Sequence, residues 1–135
     1  MERCLKAWVC RMTFYDKLDF TIKFIDPNFE EIKRFFGTRS YFSLAFFAIK
    51  KSLEELKEEI ERRKANHEIL SQGGKELVTS KWIDQFRKRI ALLQSGYQEK
   101  KADNAFPSTI LENGRTFEKE VEMVIDIIQL FYKAF

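Results

Sequence analysis

Residues 40–71 read SYFSLAFFAIKKSLEELKEEIERRKANHEILS and contain neither proline nor glycine. Ser40 is a good helix cap, and Gly73-Gly74 stands just beyond the far end, so the stretch has a start signal and a stop signal. Between them Phe42, Phe46, Ile49, Leu53, Leu56 and Ile60 step by 4, 3, 4, 3, 4, the spacing of a heptad seam. The same count continues to Arg63, His67 and Leu70. The pattern predicts one long helix over 40–71. At about 1.5 Å per residue such a helix extends roughly 48 Å, whereas a compact 135-residue domain is about 37 Å across. The surplus requires the helix to protrude, kink or be covered. The expectation is therefore a homo-oligomer or a larger protein complex, with the six heptad residues as its interface.

Moving outward, Thr116 caps a C-terminal helix in which Phe117, Val121, Val124, Ile128, Phe131 and Phe135 repeat the same steps. Thr79 or Ser80 caps another, with Trp82, Phe86, Ile90, Leu93 and Tyr97 on one face and Gly96 marking its end. The polar stretch 98–115, with Pro107 and Asn113-Gly114, reads as the longest loop. Near the start, Leu5, Trp8, Val9, Met12 and Tyr15 predict a helix over 3–16. Leu18 to Phe24 alternates apolar and polar residues and reads as strand or as helix. The scarcity of partner strands favours helix. Asp26-Pro27 looks like a cap followed by proline at the first helical position, opening a short helix over 27–36 that stops at Gly37. The sum is a single domain, residues 1–135, with an all-α fold: a four- to five-helix bundle containing one long heptad-patterned helix.

Composition agrees. Five glycines and two prolines in 135 residues are too few turn residues for a many-stranded sandwich or barrel, since about 12% is usual. A charged share of 33% beside a hydrophobic share of 44% excludes intrinsic disorder. Fourteen phenylalanines supply large apolar helix faces, some of them expected to meet partners. The start carries charges throughout and lacks the apolar core of a secretory signal. The longest wholly apolar run, Leu44 to Ile49, is far short of a membrane span. A cytoplasmic protein with no membrane association is the expectation. Cys4 and Cys10 lie about 120° apart on a helix, with no second pair to complete a metal site, and read as two inert thiols.

Four segments could carry chemistry. Arginine, any four residues and histidine, here Arg62 to His67, resembles the ribonuclease motif of the HEPN family. That resemblance implies a small helical bundle in which Arg62 stabilises phosphate charge and His67 performs acid–base chemistry on RNA. It spans six residues and departs from the family pattern at Arg63, Lys64 and Asn66. Glu54, Glu55, Glu58, Glu59 and Glu61, with Glu122 and Asp126, resemble the magnesium site of the all-α NTP pyrophosphatases. Basic residues interleaved at i+3 and i+4 make those glutamates read instead as one half of a salt-bridged helix face, so no metal is expected. Residues 81–101 hold Lys81, Arg87, Lys88, Arg89, Lys100 and Lys101 against Asp84 and Glu99, an excess of positive charge that could meet nucleic-acid phosphates. Arg87, Lys88 and Arg89 fan over about 200° of helix and so flank the apolar stripe on both sides. Gly73-Gly74 lacks the rest of a phosphate loop, and no cofactor motif is present. The balance favours a non-catalytic helical subunit of a larger assembly, with nucleic-acid contact through 81–101 as an additional role and a HEPN-like ribonuclease using Arg62 and His67 as the alternative.

Overall fold

The computed structural model describes residues 12–133. The predicted helix over 3–16, its Cys4 and Cys10, and Phe135 lie wholly or largely outside that range. Within it are four α-helices: α1 (Phe14–Phe36), α2 (Tyr41–Ala65), α3 (Ser80–Ala102) and α4 (Phe117–Tyr132), with a 3-10 helix (Ser71–Leu77) between α2 and α3. Each α-helix opens on a hydroxyl. The side chains of Thr13, Ser40, Thr79 and Thr116 accept from the amides of Asp16, Ser43, Trp82 and Lys119 at 3.1–3.3 Å, satisfying donors that a helix start leaves without a partner. Thr13 is extended, so no helix runs unbroken over 3–16.

Helix α1 replaces two predicted pieces with one. Leu18–Phe24 is helical: Leu18 and Ile22 are buried, and Phe20 and Phe24, one turn apart, pack ring on ring at 5.9 Å. Pro27 does not open a new helix but sits inside this one. Its missing N–H and its clash with the preceding turn cost about 3 kcal/mol. The stripe Leu18, Ile22, Ile25, Phe29, Ile32 is continuous across it and almost wholly buried. Phe29 and Ile32 alone regain about 1.5–3 kcal/mol each. Pro27 and Lys23, whose carbonyl loses its partner, both face water. Gly37, with φ 74°, stops the helix and donates to the Lys33 carbonyl at 2.9 Å.

Helix α2 is the central element, packing on α1 along one side and α3 along the other, while α4 closes against α1 and α3. It ends at Ala65, six residues before the predicted end. The next seam positions beyond Ile60 are the partly exposed Arg63 and the exposed His67, which give the helix no apolar face to prolong, and Leu70 reaches the core from the connection that follows the helix end. His67 turns left-handed at φ 60°, and the chain folds back through the 3-10 helix. There Gly74, at φ 97°, lies flat on the core; a Cβ on it would stand 2.7 Å from Ile60 Cδ1. A 25-residue helix is about 37 Å long, which matches the domain diameter. The surplus length that called for a partner is gone.

The heptad residues are core. Phe42, Phe46, Ile49, Leu53, Leu56 and Ile60 are at most 5% exposed and belong to one buried cluster with residues of α1, α3 and α4 of the same chain. They are satisfied within one copy, so the expected interface is not at the seam. Helix α3 runs through Gly96 to Ala102 instead of stopping there. Gly96 sits against α2, where a Cβ would come 3.2 Å from Phe42 Cα. In the loop that follows, Phe106 turns inward among Phe36, Phe42, Tyr97 and Phe117, at ring distances of 5.2–6.2 Å. The phenylalanines thus fill the core: of those described, only Phe35 is counted among the exposed residues, and its ring rests on Phe117 at 5.0 Å.

Two substitutions test this packing by urea denaturation. Leu56→Ala is expected to cost about 2–5 kcal/mol through the cavity it leaves. Gly96→Ala would gain about 1 kcal/mol from helix propensity at an open site. Here it is expected to destabilise by about 1–3 kcal/mol, because its methyl meets backbone and not a movable side-chain end.

Candidate functional site

The six cations of 81–101 do not converge. Arg87 Nε donates to Tyr132 Oη at 2.7 Å, tying α3 to α4, and this bond holds the guanidinium above its ordinary pKa. Arg89 reaches the opposite way and donates to Ser52 on α2. Lys100 stands over the Phe36 ring, 5.0 Å from its centre. The fan expected from the sequence is therefore used inside the molecule: Arg87 and Arg89 clamp the buried stripe from its two sides. Lys81, Lys88 and Lys101 are exposed. Lys81 and Lys88, seven residues apart, share a face at about 10 Å, while Lys101 points about 140° away.

Arg62 and His67 are separated by the end of α2. Arg62 is held by Glu59, with Nε to Oε2 at 3.0 Å and Nη2 to Oε1 at 2.5 Å, and Arg63 joins the same carboxylate at 2.9 Å. These two guanidinium groups, Arg62 first, lower the Glu59 pKa to about 2. His67 is exposed beyond the helix end. Of the other glutamates, Glu54 and Glu55 pair with Lys50 and Lys51 at i+4 spacing, at 3.6 and 4.0 Å. Glu61 accepts from Tyr15 Oη at 2.8 Å, raising the phenol pKa through that bond first and burial second. Glu122 accepts from Tyr97 Oη at 3.2 Å; burial, then this carboxylate, pushes the Tyr97 phenol up. Among the described residues no group of three or more His, Cys, Asp or Glu is gathered where it could hold a metal ion.

The surface feature that sequence reasoning passed over lies on α2 and α3. Tyr41, Leu44 and Leu92 are 54%, 56% and 41% exposed. Gly96 on Phe42 and Arg89 on Ser52 fix the two helices antiparallel, which sets Leu92 on α3 between those two levels. Tyr41 and Leu44 stand one helical turn apart and off the heptad stripe, and that departure was the available signal. Lys51, Glu55 and Glu58 farther along α2, and Lys81, Lys88 and Glu99 on α3, are also exposed.

Among the described residues no helix is long and apolar enough to cross a membrane. Comparison with protein families, with curated proteins and with solved structures finds no match.

Among the described residues two ion pairs join α1 to α2: Lys50 Nζ stands 3.6 Å from Asp26 Oδ1, and Lys57 Nζ 2.6 Å from Asp19 Oδ1, whose Oδ2 is also 2.9 Å from Lys23 Nζ. The bond from Lys57, then that from Lys23, lowers the Asp19 pKa. A carboxylate whose pKa falls on folding stabilises above its unfolded value, about 3.9, and that contribution is lost as pH drops through the folded value. In an NMR pH titration Asp19 is expected to titrate below the ordinary range, and in Lys57→Met to move back toward it.

Proposed function

We propose that the chain is a non-catalytic helical-bundle subunit that assembles through the outer face of α2 and α3, and that its first partner is a second copy of itself. The observation that carries this reading is the trio Tyr41, Leu44 and Leu92, the three of six exposed large apolar side chains among the described residues that stand on α2 and α3; Phe35 rests on Phe117, and Ile69 and Ile110 lie in connections between helices. A two-fold contact needs a patch complementary to itself. Exposed lysines and glutamates, Lys51 and Glu55 on α2 and Lys88 and Glu99 on α3, lie on the same two helices, so both charge signs are available to such a contact. Catalysis finds less support: Arg62 is engaged by Glu59, and the glutamates of α2 are largely taken up by neighbouring cations and Tyr15. RNA turnover that His67→Ala abolishes would reinstate the HEPN-like alternative.

Sedimentation equilibrium at about 100 μM is expected to give twice the 16.2 kDa chain mass, and Leu44→Glu with Leu92→Glu should return it to one copy with an unchanged circular-dichroism spectrum. A wild-type monomer at that concentration would refute the self-association.

Nucleic-acid contact is the second reading, favoured by Lys81 and Lys88, exposed on one face with no ion pair among the described residues. Two phosphate contacts on duplex DNA give a log–log salt slope near 1.8, about 0.9 for each. Lys81→Glu with Lys88→Glu should abolish that slope. Arg87 and Arg89 are left intact in this test because they hold α4 and α2.

A further inference from the structure

Most cations on the α1 and α2 surfaces stand beside a carboxylate, as Lys23, Lys33, Lys50, Lys57 and Arg63 do. Lys17 from α1, Lys64 from the last turn of α2 and Lys75 from the 3-10 helix differ. None of the three has an ion pair among the described residues, and all three line one open cavity of about 490 Å³. Three separate elements thus deliver a cation each to one concavity. Among the described residues that line it Asp16 is the only acidic one, so positive charge is in excess there. Lys64 Nζ stands 3.9 Å from the centre of the Tyr15 ring, which holds that ammonium at the rim.

The cavity wall is built by a close approach. Gly73, at φ 66°, lies against the first turn of α1, where a Cβ would come 3.2 Å from the Tyr15 amide nitrogen. Any larger residue would push the 3-10 helix, and Lys75 with it, away from Lys17. The positive end of the α1 dipole adds to the same field. Like charges lining one concavity raise the local potential, and a multiply charged anion relieves it. A single phosphate fills little of a volume that lies within the range of small-molecule sites, roughly 300–1,000 Å³.

We propose that this cavity binds a small molecule bearing a diphosphate or triphosphate, with Lys17, Lys64 and Lys75 contacting the phosphate oxygens. The site stands apart from the α2–α3 face and does not depend on the assembly reading. The test is titration of the full chain with inorganic tripolyphosphate and, separately, with ATP, in 50 mM salt, followed by calorimetry and by amide chemical shifts. Saturable binding is expected, with shifts centred on residues 13–17 and 72–75. Lys17→Gln and Lys75→Gln should each weaken it about tenfold or more, while Lys119→Gln, exposed on α4 and outside the cavity lining, should leave it unchanged. Tighter binding of ATP than of tripolyphosphate assigns the remaining volume to a nucleoside; equal binding assigns the site to the phosphate chain alone. No saturation by either probe at 5 mM, shifts located elsewhere, or glutamine variants that bind like the parent would overturn the proposal. The glutamine variants remove no packing contact beyond the lysine stems, and a circular-dichroism spectrum equal to the parent's separates lost binding from lost fold.

Discussion

Everything in this fold leans on the inward stripe of α2. A helix that packs on one neighbour needs an apolar face of about 100°. Helix α2 must serve α1 on one side and α3 on the other, and its two flanks are built differently. Toward α1 it presents aromatic and charged groups: Phe46 meets Phe29 edge-on at 4.6 Å, Lys50 stands over the same ring, and Lys57 binds Asp19. Toward α3 it presents small residues, Ala45 and Ser52, and α3 answers with Gly96. The first flank sets orientation through ring and charge contacts, whereas the second sets distance through small residues, with the Arg89–Ser52 hydrogen bond as its directional contact.

That asymmetry explains why phenylalanine can dominate the core. Large rings fill volume only where the backbones are held far enough apart to admit them, and they leave voids wherever shapes mismatch. The close α2–α3 contact at Gly96 narrows one side. Phe36, Phe42, Phe117 and the loop residue Phe106 then close the end of the bundle as a set of mostly tilted and edge-on rings. Phe106 makes the long α3–α4 loop part of the core. Without it, the loop would have no apolar anchor beyond Pro107 and the partly buried Leu111.

Helix type and most caps were legible because they are local: Ser40 and Thr116, and Thr79 as one of two candidates with Ser80, need only the residues that follow them. Thr13 was hidden by the apolar periodicity running across it. Pro27 was misread for a related reason. Its local signal, a cap and a first-turn proline, is real, but a buried stripe that continues through it outweighs the local cost, and the sequence cannot show which residues a tertiary neighbour will cover. The seam of α2 was read with the right residues and the wrong partner. A heptad states that a face is buried and leaves open whether another copy or the same chain buries it.

The cationic surfaces show the same limit from the opposite direction. Counting charges along 81–101 found six, yet Arg87, Arg89 and Lys100 are spent on Tyr132, Ser52 and Phe36, partners 45, 37 and 64 residues away in the chain. Lys17, Lys64 and Lys75 never formed a cluster in the sequence, because they are brought together only by the reversal at Asn66–His67 and the glycine turn that lays the 3-10 helix on α1. Local charge density overstates a site when the fold consumes its members, and it misses one when the fold assembles it. In a bundle this small, the distribution of unpaired cations across the finished surface, not their density along the chain, determines where an anion can be held.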